Sequence, residues 1–460
     1  MTLLTSYSRL ASYVKALVLF YSLCVVSSEV ALAAEAQFTP VPQSVEGKTI
    51  LNTPDSLFTA VMTGNTDLVR TLISKGVDLN IKDEKGWTPL DYANKRNRSE
   101  IRALLLEHGA RTFTKTIPDM VEGPHVTIID SLSFEVAVLK HNNETGKSSI
   151  NRDTIWEREL PYNIGGFLIE PEDLVLAENN APVESSWSHV RKIFVVGDIH
   201  GEYDRVAGLL TSNRIIDKDS NWNWGKGHLV FMGDIFDRGS KVTETFWLIR
   251  RLQKQASEAG GMVHIVLGNH EPMILKGDLR YITDEYYSLC DNLGLDYSGL
   301  FNEKTLLGHW IRQNPVMIRI NRFVFMHGGV SPELYNVRLT ADSINSIIRQ
   351  HFNKTETERN VENRNLILGT SGPLWYRGMA DDGSRGEIID DSTLNGALEF
   401  YGADAFVIGH TEVDSITTFL DKRVIDVNIP KRDVNIEEQG LLIRGSRLQV
   451  VYNSRRKGAL

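Results

Sequence analysis

Hydrophobic and polar positions follow three different rhythms along the chain, and each rhythm predicts a different kind of structure. The first occupies residues 57–110, where apolar and glycine positions recur with a period of 33 residues. A repeat of this length predicts stacked helical hairpins that bury a shared core. The matched positions are Leu57 and Leu90, Ala60 and Ala93, Leu68 and Ile101, Leu72 and Leu105, and Gly76 and Gly109.

The period and the turn Thr88-Pro89-Leu90 resemble ankyrin repeats, so residues 54–111 are predicted to form a short all-α ankyrin-like segment. Fewer than two and a half repeats are visible in this stretch. Because roughly three repeats are needed to bury a continuous core, the segment is expected to pack against a neighbouring domain. Two interpretations stay open: a helical cap that stabilises the rest of the chain, and a docking surface for a protein partner.

The second rhythm, over residues 112–187, consists of short β-branched runs such as residues 125–129 and 134–139. These runs predict strands, either in a β-rich connector or as an extension of the next sheet.

The third rhythm, over residues 188–460, begins as strand, helix, strand. Its apolar runs are continuous rather than alternating, as parallel strands buried on both faces require. Stretches with helical spacing connect them, which predicts an α/β domain with right-handed crossovers. The predicted strands are Lys192–Val196, His228–Met232 and Val263–Leu267, and the predicted helices are residues 202–216 and 242–259.

Residues 1–36 have the pattern of a secretory signal peptide. Arg9 and Lys15 precede an apolar run over residues 16–26, and the small-residue stretch 31–36 follows it. The run of 11 residues is short for a membrane span, which needs roughly 20. We therefore expect cleavage after Ala33 or Ala36 and a secreted or periplasmic chain without membrane attachment, with an uncleaved anchor as the alternative.

Composition narrows the classes further. The 460 residues suit two or three domains, and 42% hydrophobic with 24% charged residues is typical of a globular protein. The net charge of -9, without a long basic run, disfavours a nucleic-acid partner. Cleavage of the signal peptide would leave Cys290 as the only cysteine, so no intrachain disulfide is expected.

Polar clusters follow the three predicted strands, and two later apolar runs end in the same way. One such cluster is a common turn, but all of them together at strand ends indicate one site, because α/β sheets bind ligands at the carboxyl ends of their strands. Asp, His and Asn side chains without cysteine suit Mn²⁺, Fe or Zn²⁺, and a shared aspartate allows a dinuclear centre. The clusters are residues 197–201, 233–239, 268–271, 327–329 and 409–411.

The motifs GDIHGEYD, GDIFDRG, GNHE, HGG and GH, spread over about residues 190–430, resemble the calcineurin-like metallophosphoesterases and their phosphoprotein-phosphatase branch. The resemblance implies a four-layer α/β/β/α sandwich, with strands around residues 316–325 and 424–429 in the second sheet. It also implies two divalent metal ions, of which the first is bound by Asp198, His200 and Asp234. The implied ligands of the second ion are Asp234, Asn269, His327 and His410.

The implied reaction is hydrolysis of a phosphomonoester by a hydroxide that bridges the two ions. Arg238 offers a planar fork for phosphoryl oxygens, and Asn269 is predicted to contact the substrate beside it. His270 is the candidate general acid for the leaving oxygen, with Asp237 orienting it. A supporting hydrogen bond, without proton transfer, is the alternative role for His270.

The segment Gly372-Pro-Leu-Trp-Tyr-Arg-Gly378 and Leu267 resemble the Shewanella-like phosphatases within this branch. The better-known Ser/Thr phosphatases have an arginine where Leu267 stands, so Arg377 is the candidate second phosphate contact, with a surface arginine as the alternative. Tyr286 and Tyr287, in the insertion after GNHE, are candidates for lining a substrate groove.

The resemblance therefore predicts a phosphatase acting on phosphotyrosine or phosphoserine/threonine in proteins, or on a small phosphoester. A hydrolase of dinucleoside polyphosphates or other nucleotides is the alternative within enzymes. An inactive scaffold that binds a partner through its ankyrin-like repeats is the alternative from a different class.

Overall fold

The structure is a computed structural model that describes residues 54–112, 117–164, 166–174, 184–353, 363–380, 387–430 and 436–460. The predicted signal peptide, residues 1–36, lies outside these ranges. No helix within them combines the length and the apolarity needed to cross a bilayer.

Two helical hairpins stand where the 33-residue period predicts them. Their buried core consists mainly of the repeated leucine, isoleucine and alanine positions. Asn65 caps one helix by accepting a hydrogen bond from the Leu68 N–H, and Thr88 and Asp91 form a reciprocal capping box at another. The helices are α1 (Pro54–Thr63), α2 (Thr66–Ser74), α3 (Pro89–Lys95) and α4 (Ser99–Glu107).

A separate antiparallel sheet of three strands follows the hairpins, in the order β1-β2-β3. The connector interpretation therefore describes most of the β-rich stretch, whereas β6 alone extends a sheet of the next domain. The strands are β1 (Met120–Asp130), β2 (Ser133–Asn142), β3 (Lys147–Trp156), β4 (Tyr162–Ile164), β5 (Phe167–Ile169) and β6 (Ser186–Trp187), with 3₁₀ turns at Glu157–Glu159 and Pro171–Leu174.

The rest of the described chain alternates strands and helices, as the third rhythm predicts. Its first half comprises β7 (Ile193–Val196), α5 (Tyr203–Ser212), β8 (His228–Phe231), α6 (Val242–Glu258), β9 (Met262–Ile265), α7 (His270–Leu275), α8 (Asp284–Leu293), a 3₁₀ turn at Ser298–Phe301, α9 (Leu306–Gln313), β10 (Met317–Ile320) and β11 (Phe323–Met326). Its second half comprises α10 (Pro332–Asn336), α11 (Ala341–Asn353), α12 (Arg364–Leu368), α13 (Asp391–Tyr401), β12 (Ala405–Ile408), β13 (Thr417–Phe419), β14 (Val424–Asp426), β15 (Gln439–Arg444), β16 (Arg447–Tyr452) and β17 (Lys457–Ala459).

These strands form two six-stranded sheets, in the orders β17-β16-β15-β7-β8-β9 and β13-β14-β12-β11-β10-β6. Strands β7, β8 and β9 are parallel neighbours, as their continuous apolar runs predict. The expected later strands, β10, β11 and β14, lie in the second sheet.

Alternation of side chains along each strand builds the layers. On β7, Ile193 and Val195 belong to the core between the two sheets, whereas Phe194 and Val196 belong to the core shared with the helices. Helix α6 packs on the first sheet's outer face, and α11 and α13 contribute Ile344 and the buried face of residues 394–398 to the outer core of the second. The predicted four-layer α/β/β/α sandwich is confirmed.

A buried polar cluster joins the three-stranded sheet to helix α6. Glu122 of β1 accepts a hydrogen bond from the Thr243 hydroxyl and pairs with His125. Nearby, Oε2 of Glu244 is buried and has no hydrogen-bond partner among the described residues. Burial raises the pKa of Glu244 to about 7, with a smaller contribution from the charge of Glu122 and an opposing one from a backbone N–H.

We expect Glu244→Gln to make the protein more stable than the parent above pH 7. The folded pKa of about 7 exceeds the ordinary 4.5, so the parent loses stability as pH rises through this window, whereas glutamine does not ionise. Urea unfolding of both proteins from pH 4 to pH 9 measures the effect, which should reach on the order of 1 kcal/mol after solvent screening. A difference that does not change with pH would contradict the assignment.

Candidate active site

The carboxyl ends of β7, β8, β9, β11 and β12 meet at one place, and each carries one of the polar clusters. The structure brings all six predicted metal ligands together there, although their roles stay predictions. Each is buried, with the following exposures: Asp198 2%, His200 5%, Asp234 2%, Asn269 2%, His327 0% and His410 6%.

Asp234 stands at the centre of this group. Its Oδ2 lies 3.2 Å from Nε2 of His327, 3.7 Å from Nε2 of His270 and 3.8 Å from Nε2 of His200. Its Oδ1 accepts a hydrogen bond of 3.0 Å from the His270 N–H. One carboxylate oxygen therefore faces imidazoles that follow three different strands, as an oxygen shared between two metal ions would.

Two sets of side chains around Asp234 have the spacing of metal ligands. His200, Asp234 and His270 form one set and Asp234, His327 and His410 the other, and the ligand atoms of each set lie within 4.8 Å of one another. Oδ1 of Asn269 and Oδ1 of Asp198 complete the surroundings, at 3.1 and 3.8 Å from nitrogens of His327. The first set includes His270, which the sequence interpretation assigns to proton transfer instead.

Backbone carbonyls orient two of the imidazoles. Nδ1 of His200 lies 2.9 Å from the Phe236 carbonyl oxygen, and Nδ1 of His327 lies 2.7 Å from that of Met232. Because a carbonyl only accepts, each Nδ1 donates, and Nε2 is the nitrogen that faces the site.

The protonation of the cluster also fits metal ions. Burial, and then the charge of a neighbouring imidazole, holds the pKa of His200 and of His410 well below the ordinary value. Both rings are therefore neutral, as metal ligands must be, and Nε2 of His410 is buried without a hydrogen-bond partner among the described residues. Nitrogen and oxygen ligands of this kind suit Mn, Fe or Zn ions.

Asp234 and His327 form the most strongly charged pair of the cluster. Burial raises the pKa of Asp234, but the charges of His327 and His270 outweigh it and hold that pKa well below the ordinary value. Burial lowers the pKa of His327, but Asp234 and Asp198 outweigh it and raise it to about 9. A divalent cation would replace the proton that this pKa leaves on the His327 ring, since the cation neutralises the same two carboxylates.

Left-handed backbone conformations concentrate at the site. Non-glycine φ values are positive at His200 (52°), Asp234 (48°), Asp237 (69°), Arg238 (66°) and His410 (65°). Such conformations are strained for residues with a Cβ and persist only where the surroundings impose them.

Glu271 imposes the conformation around Asp234. Its fully buried carboxylate accepts hydrogen bonds from the N–H groups of Gly268 (2.7 Å), Ile235 (2.8 Å) and Asp234 (3.1 Å). A Cβ on Gly268 would lie 2.1 Å from Oδ1 of Asp234, so only glycine fits there. The sequence interpretation gave Glu271 no role, although its place directly after Asn269 and His270 marked it.

The candidate acid and its orienting carboxylate are in contact: Nδ1 of His270 lies 2.5 Å from Oδ2 of Asp237. Burial lowers the pKa of His270, but the charge of Asp234 and the hydrogen bond that His270 donates to Asp237 outweigh it and raise that pKa above the ordinary value. His270 can therefore carry a proton near neutral pH, as a general acid must.

Both predicted phosphate-binding arginines border the cluster. Nη1 of Arg238 lies 3.4 Å from Oε1 of the exposed Glu412. Nη1 of Arg377 donates to the His410 carbonyl at 2.6 Å, and its Nη2 lies 3.5 Å from Nδ1 of the same residue. These contacts place Arg377 beside the predicted metal ligand His410, which disfavours the alternative that Arg377 is only a surface arginine.

The structure corrects the prediction for the tyrosines after GNHE. Tyr286 is only 1% exposed, so its prediction as a groove residue was wrong, whereas Tyr287, at 6%, borders a cavity against helix α3 and bonds Asn94 there. Tyr281 lies at the site instead: it is 40% exposed, and its ring centroid lies 5.2 Å from that of His270. The sequence carried no signal for it beyond its place in the same insertion.

Comparison with known proteins finds the family that the sequence motifs resemble. Residues 191–414 match the calcineurin-like phosphoesterases, and residues 34–116 match ankyrin repeats in three copies. The chain is 26% identical to Shewanella-like protein phosphatase 1 of Plasmodium berghei, over 55% of this chain and 70% of that one. It is 30% identical to a symmetrical bis(5'-nucleosyl)-tetraphosphatase of Vibrio vulnificus, over 34% of this chain and 52% of the other.

Among solved structures, the chain is similar to the cold-active protein-tyrosine phosphatase of a psychrophilic Shewanella species. The TM-score is 0.65 at 29% sequence identity, and the similarity covers 74% of this chain and 99% of that one.

We expect Glu271→Ala to destabilise the protein and weaken its metal binding together. Three buried N–H groups lose their acceptor, so the free energy of unfolding should fall by on the order of 3 kcal/mol. Thermal unfolding and metal analysis after dialysis measure the two effects, with the exposed Glu258, at the end of α6, changed to alanine as the control. Full metal content in Glu271→Ala would show that the cluster does not need this carboxylate.

Proposed function

We propose that this protein is a metal-dependent phosphatase whose substrates are phosphorylated proteins, because residues 191–414 match the calcineurin-like phosphoesterases. The carrying observation is that Asp234 lies between His200 on one side and His327 and His410 on the other, next to the His270–Asp237 pair. Relatives named as protein phosphatases support the substrate class, whether phosphotyrosine or phosphoserine/threonine.

Asp198, His200 and Asp234 would hold one divalent ion, and Asp234, Asn269, His327 and His410 the other. Two such ions, with Mn, Fe and Zn as the proposed candidates, supply Lewis acidity and lower the pKa of a bound water. The burial of all six ligands excludes bulk water, which strengthens every charge interaction at the phosphoryl group.

Arg238 and Arg377 act on the phosphoryl oxygens. Their guanidinium groups present paired donors that match two oxygens at once, and Asn269 adds an amide beside them. Arg238 exchanges its contact with the exposed Glu412 for the phosphate when a substrate binds.

His270 donates its proton to the leaving oxygen as the P–O bond breaks. The carboxylate of Asp237 holds Nδ1, so that the proton on Nε2 is the one transferred. Asp237 also stabilises the protonated ring before transfer, which keeps the acid loaded near neutral pH.

A comparison of substrates tests the proposal against its alternatives. A phosphotyrosine peptide, a phosphoserine peptide and a diadenosine polyphosphate, each supplied with Mn²⁺, should be compared by kcat/KM. We expect one of the peptides to be the best substrate. Preference for the diadenosine polyphosphate would favour a nucleotide hydrolase, and no turnover of any of the three would favour a scaffold.

Asp234→Asn is expected to abolish turnover while the fold remains. The amide keeps the size of the carboxylate but removes the charge that two ions would share, so kcat should fall by roughly 10³ or more. Phosphate release and circular dichroism measure the two quantities. The control is Asp219→Asn, on a carboxylate whose side chain is 67% exposed. Unchanged turnover in Asp234→Asn would exclude the metal mechanism.

We also propose that the chain is exported, on the basis of the pattern in residues 1–36. Expression with cell fractionation, followed by N-terminal sequencing, should recover a secreted or periplasmic protein that begins at residue 34 or 37. Recovery of an intact N-terminus in the cytoplasm would contradict the proposal.

A further inference from the structure

The ankyrin-like segment contacts the phosphatase domain through the end of helix α3. Lys95, the last residue of α3, is only 8% exposed. Its carbonyl accepts the N–H of Leu279 at 2.7 Å, and its ammonium donates to the carbonyl of Ile282 at 3.3 Å. The next contact along the chain is Asn97, whose side-chain amide donates to the Lys276 carbonyl at 3.0 Å. Residues 276–282, here named the clamp loop, are thus held at three points.

The ammonium of Lys95 is enclosed as well as bonded. It lies 4.2 Å from the ring centroid of Trp87 and 5.7 Å from that of Tyr287, and 3.5 Å from Oδ1 of Asp284. The Tyr287 hydroxyl accepts a hydrogen bond of 3.0 Å from the side-chain amide of Asn94, which precedes Lys95 in helix α3. A buried lysine with aromatic, carbonyl and carboxylate partners has one defined position, which makes it a rigid support.

The clamp loop carries Tyr281 to the active site. The Tyr281 carbonyl accepts the N–H of Arg238 at 3.0 Å, where the backbone of Arg238 is left-handed, and its ring contacts His270. Burial alone does not fix this side chain, since 40% of it is exposed. Its position depends on residues 279 and 282 on either side, and both are bonded to Lys95.

We infer that the ankyrin-like segment is an internal clamp, in which Lys95 positions Tyr281 so that Tyr281 keeps His270 aligned with the leaving group of the substrate. This inference rests on the proposed function, in which His270 protonates the leaving group. Lys95 is a positioning residue, because it contacts the clamp loop, Trp87, Tyr287 and Asp284 and acts on the substrate only through Tyr281. The helical face that ends at Lys95 is therefore occupied by this chain itself.

Lys95→Met tests the clamp, because methionine keeps an unbranched apolar stem and removes the ammonium. If His270 loses its alignment, substrates that need protonation of the leaving oxygen suffer most. We expect kcat for a phosphoserine peptide, with its alkoxide leaving group, to fall by about tenfold or more. For 4-nitrophenyl phosphate, whose leaving group needs little protonation, kcat should fall by less than about threefold.

Two further variants separate positioning from stability. Asn65→Ala removes the cap of α2 in the same segment and lowers stability without touching the clamp loop, so it should leave the ratio of the two kcat values unchanged. Tyr281→Ala should reproduce the selective loss, and combining it with Lys95→Met should add little, since both act through one contact. Equal losses on both substrates, or additive losses in the double variant, overturn the inference.

Hydrogen exchange provides a readout that does not need activity. The Ile282 amide, next to the carbonyl that loses the Lys95 ammonium, and its neighbours in the clamp loop should exchange faster in Lys95→Met than in the parent and in Asn65→Ala. Unchanged exchange in the clamp loop overturns the clamp even if the phosphatase proposal holds. A parent without turnover would overturn the proposed function, while the exchange result would still decide whether Lys95 holds the loop.

Discussion

Asp234 can face ligands from both sheets only because the chain turns left-handed directly after β8, with a φ of 48° at this residue. The turn brings one carboxylate oxygen within 4 Å of three imidazoles. An aspartate does not adopt this conformation without support, and the support is the Glu271 carboxylate, which accepts three N–H groups from the two neighbouring turns. The geometry of the site therefore depends on one buried acceptor that is not itself a predicted ligand.

The two sheets and the ankyrin-like segment hold the residues around Asp234 in place. The first sheet provides Asp198, His200, Asp234 and Asn269, and the second provides His327 and His410, so neither sheet alone holds both ligand sets. The aliphatic layer between the sheets fixes their separation, because close-packed interiors do not slide. The ankyrin-like segment supports the clamp loop, and Tyr281 of that loop contacts His270 and Arg238.

The sequence was most informative where one local pattern had one physical meaning. Continuous apolar runs predicted β7, β8 and β9 to within one or two residues, and the polar clusters after these runs and after the two later ones contained all six predicted ligands that the structure brings together. The contributions of Tyr281 and Lys95 were not predictable, because each depends on a tertiary contact, whereas Glu271 was marked by its place after Asn269 and His270 but not by its role. A lysine near the end of a helix is ordinarily solvated, and only the packing of Trp87 and Tyr287 around Lys95 shows otherwise.

The central claim is that two metal ions share Asp234, and anomalous diffraction from a crystal grown with Mn²⁺ tests it most directly. We expect two anomalous peaks roughly 3.5 to 4 Å apart, with Asp234 between them. One peak should adjoin Asp198 and His200, and the other Asn269, His327 and His410. A single peak at full occupancy, or two peaks that do not share Asp234, would contradict the account.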